Sequence, residues 1–239
     1  MISSQDRELT QQIDMDKIIG FDAQAYSQRD KGYSPEPIRD AVWKLVSHEL
    51  EGDVLDAGSG EGGWIKRIKG SRNIRRIISV DIVDDGASQI DGVEFYITDL
   101  SSSSLPCGDS ELDWIFAIEV LEHLANPRNF VKEAVRCLKK GGKLVITTPC
   151  NESLRAKFSF LFRDYFPAFC DHDYSVAGHI TPLLEIDIKR MAYEAKYETL
   201  NFYYPLPGLI PKMSIEWQNI FPSLKGKLWS DCLIAILVK

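Results

Sequence analysis

The sequence lacks the features that mark membrane-spanning, secreted and nucleic-acid-binding proteins. None of its apolar runs approaches the about 20 residues of a transmembrane helix, and the N-terminal segment has no apolar signal-peptide core. The 5 cysteines are scattered, odd in number and without CxxC spacing, which predicts reduced thiols in the cytoplasm. The net charge of −7 disfavours nucleic acid as a partner, because phosphate binding needs a concentrated positive field.

Apolar strands alternate with helical patterns over residues 34–150. Strands are predicted to begin near residues 53, 74, 93, 112 and 143, and the first helix is predicted over residues 38–50. A second amphipathic helix precedes Gly141 and Gly142, which are expected to stop it. This alternation predicts βαβ units and a parallel sheet.

The remaining ranges differ in character from this core. Residues 1–33 read as a polar arm, residues 151–183 and 205–230 as aromatic, irregular, lid-like inserts, and residues 184–239 as the second half of a single domain. Long excursions of this kind usually serve function. The aromatic side chains of the first insert could line an acceptor pocket, form the apolar underside of a lid or make an interface: Phe158, Phe160, Phe162, Tyr165, Phe166 and Phe169.

A glycine-rich turn follows the first predicted strand. Gly58, Gly60 and Gly62 give a GxGxG spacing, which we interpret as disfavouring an NAD-dependent oxidoreductase. Asp56 precedes the turn and puts an anion where a cationic cofactor would sit. Asp81 ends the next strand, where a carboxylate accepts hydrogen bonds from ribose hydroxyls.

The order of these motifs resembles that of class I S-adenosylmethionine-dependent methyltransferases, and within them the group acting on small molecules, quinone precursors and sugars. The resemblance is carried by VLDAGSGEG, SVDI, ITDL, DWIFAIEVLEHLANP and LKKGGKLVITTP, within residues 52–150, and more weakly by CLIAILVK and the helix from Leu184. It implies an α/β fold, a Rossmann-like doubly wound sheet of seven mostly parallel strands. CLIAILVK would be the antiparallel final strand, beside ETLNFYYPL.

The resemblance also implies S-adenosylmethionine as the cofactor. Residues at the ends of the first and fourth strands would face the methionine part of the cofactor. Residues at the end of the second strand would face its ribose and adenine, and residues at the end of the third strand would face the adenine amino group. The implied binding residues are Asp56, Gly58, Ser59, Gly60, Asp81, Ile82, Thr98, Asp99, Leu100, Ile118 and Glu119.

Methyl transfer to a hydroxyl needs a group that takes the proton, and histidine is the usual choice. His172 and His179 lie in or beside the first insert, which follows the fifth strand and is expected over the cofactor. His179 is favoured as the base because it sits at a junction just before a new helix. Acidic neighbours favour the protonated form of His172. A packing or capping role is equally open for both.

Glu119, Glu122 and His123 have the i, i+3, i+4 spacing that puts three ligands on one face of a starting helix. This ExxEH string resembles the metal site of some quinone-precursor and RNA-end methyltransferases, where His172 would be a fourth ligand. The string is also common in relatives held to be metal-free, in which the histidine braces the helix start. We therefore predict no metal and an activity that survives a chelator.

The sequence thus predicts an S-adenosylmethionine-dependent methyltransferase that O-methylates a small-molecule or sugar acceptor, as a monomer or homodimer. N- or C-methylation is an alternative, and so is a regulatory protein that binds the cofactor without turnover, although the intact glycine turn and Asp81 argue against it. The fourth strand ends in AIEV, which lacks the signature that grips a flipped base and disfavours nucleobase methylation.

Overall fold

A computed structural model of the protein describes residues 34–239, so the arm predicted over residues 1–33 lies outside the described residues. Seven strands form one sheet in the order β3-β2-β1-β4-β5-β7-β6. The strands are β1 (Gly52–Ala57), β2 (Ile74–Asp81), β3 (Val93–Ile97), β4 (Leu112–Ile118), β5 (Leu138–Pro149), β6 (Thr199–Tyr203) and β7 (Cys232–Val238).

Strands β1 to β5 pair in parallel, and β7 runs antiparallel between β5 and β6. The strand order reverses at β1 and β4, so the crevice beyond their carboxyl ends is the usual ligand position of this topology. The predicted fold, including the antiparallel final strand beside ETLNFYYPL, is confirmed.

Seven α-helices within residues 34–239 flank or extend the sheet. They are α1 (Glu36–Val46), α2 (Gly63–Ile68), α3 (Pro127–Cys137), α4 (Leu154–Arg163), α5 (Asp171–Val176), α6 (Glu185–Glu194) and α7 (Trp217–Ile220). Pro127 begins α3, and the Asn126 side chain caps it by accepting the Asn129 amide at 3.1 Å. No helix among residues 34–239 combines the length and apolarity that crossing a membrane requires.

The core lies on both faces of the sheet, because successive side chains of a strand point to opposite sides. On one face, Leu55 and Ile115 pack with the buried stripes of α3 and α6. On the other face, Trp114 and Phe116 pack with those of α1 and α2. Covering both faces explains why the central strands are apolar throughout.

The predicted end of α3 is wrong. The helix ends at Cys137, and Gly141 and Gly142 lie inside β5. The β4–β5 register shifts here, with Leu112 opposite Leu138 but Trp114 opposite Lys143. The irregular pairing brings backbone atoms close to Gly142, where a Cβ would lie 2.9 Å from the Lys139 carbonyl oxygen.

The first insert contains two helices, α4 and α5, where the sequence predicts irregular structure. The Ser153 hydroxyl starts α4 by accepting the Ala156 amide at 3.2 Å, and Asp164 ends it with a φ of +62°. Phe160 and Phe162 on α4 are 53% and 73% exposed, so they are not part of the core. Outside α7 and a 3₁₀ turn at Lys227–Trp229, residues 205–230 are largely irregular.

Candidate functional site

The glycine turn joins β1 to α2 at the carboxyl edge of the sheet. Gly58 has a φ of +68°, and a Cβ at this position would lie 2.6 Å from Val120 Cγ2 in the loop after β4. The Gly58 amide donates to the Val80 carbonyl at 2.8 Å, and the Ser79 hydroxyl donates to that of Ser59 at 2.7 Å. The turn is therefore packed between the ends of β2 and β4, and only glycine fits at its first position.

Asp81 shapes this turn directly. One carboxylate oxygen accepts the Gly60 amide at 2.8 Å and the other accepts the Ile82 amide at 2.7 Å. Burial raises the pKa of Asp81, and the amides of Gly60 and Ile82 oppose that effect by stabilising the charged form. The contact of Asp81 with the cofactor ribose stays a prediction. The carboxylate oxygens that would make this contact already accept the amides of the turn.

Asp56 is a buried carboxyl with an unsatisfied oxygen. It is 2% exposed, and its Oδ2 accepts no hydrogen bond from the residues that the structure describes. Burial, and then the charge of Asp81, raise its pKa well above the ordinary value. An unpaired buried carboxyl is costly, and a cationic ligand at this edge would satisfy it. This fits the sulfonium and ammonium groups of S-adenosylmethionine.

The cofactor-binding residues predicted at the ends of β3 and β4 differ in their contacts. The Thr98 amide donates to the Asp81 carbonyl at 2.7 Å, which joins the ends of β2 and β3. Both Asp99 oxygens cap the turn that follows, accepting the Ser101 amide at 2.9 Å and the Ser102 hydroxyl at 2.6 Å. Leu100 and Ile118 are buried in the hydrophobic core.

The segment after β4 is not the helical start that the sequence predicts. Glu119 has a φ of +55°, and only a single 3₁₀ turn follows at Leu121–His123. Thr147 on β5 holds this conformation: its hydroxyl accepts the Glu119 amide at 2.9 Å and donates to Glu119 Oε1 at 2.7 Å. No α-helix begins at this segment, and the role of His123 as a brace of a helix start stays a prediction.

Glu122, His123 and His179, which we call the histidine cluster, meet beside this turn. One possible ligand atom of each lies within 4.8 Å of the other two. Glu122 is 0% exposed, and neither carboxyl oxygen makes a hydrogen bond of normal geometry to the described residues. Burial, and then the neighbouring Glu119, raise the pKa of Glu122 well above its ordinary value.

Backbone carbonyls orient both histidine rings. His123 Nδ1 lies 3.1 Å from the Gly178 oxygen, and His179 Nδ1 lies 2.7 Å from the Ala168 oxygen. A carbonyl oxygen only accepts hydrogen bonds, so the Nδ1 of each ring acts as the donor in these two contacts. Burial, and then His179, lower the pKa of His123 to about 4, which keeps that ring neutral at physiological pH.

The first insert is tied to the loop after β4 just beyond His179. The amides of Ile180 and Thr181 both donate to the Glu122 carbonyl at 2.9 Å, and the Thr181 hydroxyl donates to the Leu124 carbonyl at 2.6 Å. These hydrogen bonds join the insert to the loop at the carboxyl edge of the sheet. His172 is exposed on α5 and lies outside the histidine cluster.

A sequence profile described as a methyltransferase domain matches residues 29–209. The chain belongs to this methyltransferase family. Membership confirms the predicted methyltransferase domain, and it agrees with the sheet order and the glycine turn described above. Proteins to which the chain is similar are named for different substrates, among them malonyl-[acyl-carrier protein] and tRNA U34.

Similar proteins include a probable S-adenosylmethionine-dependent methyltransferase of Mycolicibacterium smegmatis, 30% identical over 114 residues, 46% of this chain and 43% of the relative. A malonyl-[acyl-carrier protein] O-methyltransferase of Hahella chejuensis is 29% identical over 117 residues, covering 46% and 42%. The chain thus spans less than half the length of these two relatives. The solved N-methyltransferase NodS of Bradyrhizobium japonicum, in complex with S-adenosylhomocysteine, shares the fold, with a TM-score of 0.57, 16% identity and coverage of 91% and 97%.

Proposed function

We propose that this methyltransferase binds S-adenosylmethionine at the glycine turn and transfers the methyl group to a hydroxyl of a small-molecule or glycan acceptor. The observation that carries the proposal is the histidine cluster beside the turn. Val120, which packs on Gly58, precedes Glu122 by only two residues. A proton acceptor therefore lies at the edge where the methyl donor would bind, which suits a hydroxyl nucleophile.

The glycine turn, Asp56 and Asp81 would hold the cofactor. Asp56 supplies an unpaired buried anion, and Asp81 presents its carboxylate at the end of β2. Ile82, Thr98 and the residues after them would surround the adenosine part, as the sequence predicts. The similar structure of NodS is a complex with S-adenosylhomocysteine, the demethylated cofactor, which supports this assignment.

S-adenosylmethionine supplies a methyl group on a sulfonium, which leaves as a neutral thioether that keeps the electron pair of the broken C–S bond. The protein must hold the acceptor oxygen in line with that bond. As the oxygen bonds to the methyl carbon, His179 Nε2 takes the hydroxyl proton. Its Nδ1–H bond to the Ala168 carbonyl fixes the tautomer that allows this.

Two binding measurements and one transfer assay test the proposal. Calorimetry should show micromolar binding of S-adenosylhomocysteine and no binding of NAD. With labelled S-adenosylmethionine, matched acceptors bearing a hydroxyl or an amine at one position should be methylated on the hydroxyl. Binding of NAD alone would overturn the cofactor assignment, and transfer to the amine alone would overturn the acceptor assignment.

A further inference from the structure

We propose that the second half of α4, residues 158–163, inserts into the surface of an anionic lipid bilayer. We call this segment the α4 tip. Binding to a bilayer is measurable without turnover, so the inference does not depend on the proposed methyl transfer.

The α4 tip exposes apolar side chains around the whole helix. Leu161 and Phe162 are 70% and 73% exposed, and Phe160 and Arg163 beside them are exposed as well. An α-helix has 3.6 residues per turn, so four consecutive exposed residues point to all sides of it. Helices α3 and α6 instead bury one apolar stripe against the sheet. The α4 tip therefore projects from the protein.

The first turn of α4, in contrast, is fixed to the body of the protein. Ala156 is buried, and the Arg155 guanidinium pairs with Asp231 at 2.9 Å. The Asp231 carboxylate also accepts the Leu209 amide of the second insert at 3.1 Å. A helix that is held at one end and exposed at the other presents its free end to a partner.

The charge of α4 is opposite in sign to that of the chain. The helix contains Arg155, Lys157 and Arg163 and no acid, whereas the whole chain has a net charge of −7. Lys157 and Arg163 are exposed and form no ion pair with residues 34–239. Acids of the first insert lie before and after α4, with Asp164 the next residue in the chain. Exposed cations beside exposed apolar groups fit an anionic, partly apolar partner.

The second insert has the same combination of side chains. It contains Lys212, Lys225 and Lys227 against one acid, Glu216. Eleven of the fifteen large apolar or aromatic side chains that are exposed among residues 34–239 lie in the two inserts. Exposed apolar groups are thus concentrated in two basic segments whose bases meet at Asp231.

A bilayer fits the α4 tip better than a protein surface does. A protein groove accepts one apolar face of a helix, whereas the boundary between headgroups and acyl chains surrounds an inserted helix. A symmetric dimer through this segment would place two copies of the same basic helix against each other. At an anionic bilayer, Leu161 and Phe162 would enter the acyl boundary, and Lys157 and Arg163 would contact headgroup phosphates.

The position of α4 gives the bilayer a place in the reaction. The helix begins at Leu154, shortly after β5 ends at Pro149, and so leaves the carboxyl edge that also carries the glycine turn. A hydroxyl acceptor anchored in the bilayer would therefore approach from the side of the methyl donor. This consequence rests on the proposed function, whereas binding to the bilayer does not.

The test is flotation of the full-length protein with vesicles of phosphatidylcholine, with or without phosphatidylglycerol. We expect binding to the mixed vesicles, weakened by added salt. Leu161→Ala combined with Phe162→Ala should lower the partition coefficient at least about tenfold, because large apolar surface no longer enters the bilayer. Tyr193→Ala, at an 85% exposed ring on α6, is the matched control and should bind as the wild type does.

A second pair of variants tests the charge. Lys157→Gln combined with Arg163→Gln should weaken binding to the mixed vesicles about tenfold or more, since each basic side chain near an anionic surface strengthens binding about fivefold. Lys132→Gln combined with Arg190→Gln, at exposed positions of α3 and α6, is the matched control. The substituted side chains are exposed, so every variant should unfold in urea at the wild-type midpoint.

Absence of binding to the mixed vesicles would overturn the proposal, as would equal binding by the wild type and both α4 variants. Equal affinity for the two vesicle compositions would overturn the anionic partner. A dimer that Leu161→Ala with Phe162→Ala abolishes in ultracentrifugation, without vesicle binding, would assign the α4 tip to a second copy of the chain instead. Vesicle binding without methyl transfer to any hydroxyl would support the bilayer site and remove the proposed function, and transfer without vesicle binding would do the opposite.

Discussion

The carboxyl edge of the sheet has two halves, the glycine turn with its acids and the histidine cluster. Different kinds of contact build them. Around the glycine turn, a side chain binds backbone amides that are near in sequence, as Asp81 does with Gly60, 21 residues away. In the histidine cluster, the corresponding bond joins His123 to Gly178, 55 residues away. The first half is a local motif of one βαβ unit, whereas the second exists only once the insert has packed on the sheet.

Both halves contain a pair of acids whose pKa values burial raises: Asp56 with Asp81, and Glu119 with Glu122. They differ in how the acids are satisfied. Asp81 accepts two backbone amides and Glu119 bonds to Thr147, whereas Asp56 and Glu122 have oxygens without partners among the described residues. Each half thus combines one acid that the protein holds with one that it satisfies less fully.

The largest effect expected concerns the histidine half. His179→Ala should lower turnover by about 10²–10⁴, because it removes a group that activates the acceptor, while the affinity for S-adenosylhomocysteine stays unchanged. His172→Ala, on exposed α5, is the matched control and should leave turnover intact. If neither variant slows methyl transfer, proximity alone or a carboxylate drives the reaction, and the hydroxyl acceptor loses its main support.

The next effect concerns the glycine-turn half. Asp81→Ala should weaken S-adenosylhomocysteine binding at least about tenfold in calorimetry, since charge-assisted hydrogen bonds are worth about 1.5–3 kcal/mol each. It also frees the Gly60 amide, so the turn loosens. Asp84→Ala is the control, because among residues 34–239 this exposed carboxylate bonds within its own loop. Equal affinities in the two variants would mean that Asp81 does not contact the cofactor.

A substitution at Gly58 should test the packing of the glycine turn through protein stability, without any ligand. Gly58→Ala combines a positive φ with a Cβ 2.6 Å from Val120, so we expect unfolding in urea to show a loss of about 1–3 kcal/mol. Gly70→Ala is the control, because a Cβ there meets nothing within 4 Å. Adding Val120→Ala should recover part of the loss. A Gly58→Ala protein of wild-type stability would contradict this account of the turn.

The smallest effect concerns the contact between α6 and the second insert. Although burial alone would raise it, hydrogen bonds from Lys189, Tyr204 and Lys227 lower the pKa of Glu185 to about 2. Its charged form therefore stabilises the fold above the unfolded-state pKa, and this contribution is lost as pH falls from about 5 towards 2. Glu185→Gln should cost about 1 kcal/mol at pH 7 after solvent screening, and the difference should shrink in acid.

Chemical denaturation at several pH values measures this difference. Glu194→Gln is the control, because Glu194 forms an exposed pair with Arg128, and exposed pairs contribute about 0–1 kcal/mol. A difference between the wild type and Glu185→Gln that is constant with pH would show that packing, not charge, is lost.

The sequence by itself determined the parts of the molecule that depend on short-range backbone geometry. The GxGxG spacing, the acids at the ends of β1 and β2, and the apolar strands predict the sheet and the glycine turn, and the resemblance they carry predicts the antiparallel β7. These features are visible in sequence because each constrains residues within one strand–turn–helix unit, where φ, hydrophobic period and spacing act directly.

Only the tertiary structure decided the histidine half. Thr147 on β5 holds Glu119 at a positive φ, and one 3₁₀ turn forms where the sequence predicts a helix. Pairing with β4 makes Gly141 and Gly142 part of β5. His179, and not His172, joins Glu122 because the amides after it bind the Glu122 carbonyl. Such contacts link residues far apart in the chain, and no local pattern specifies them, because their energy appears only when the insert packs on the finished sheet.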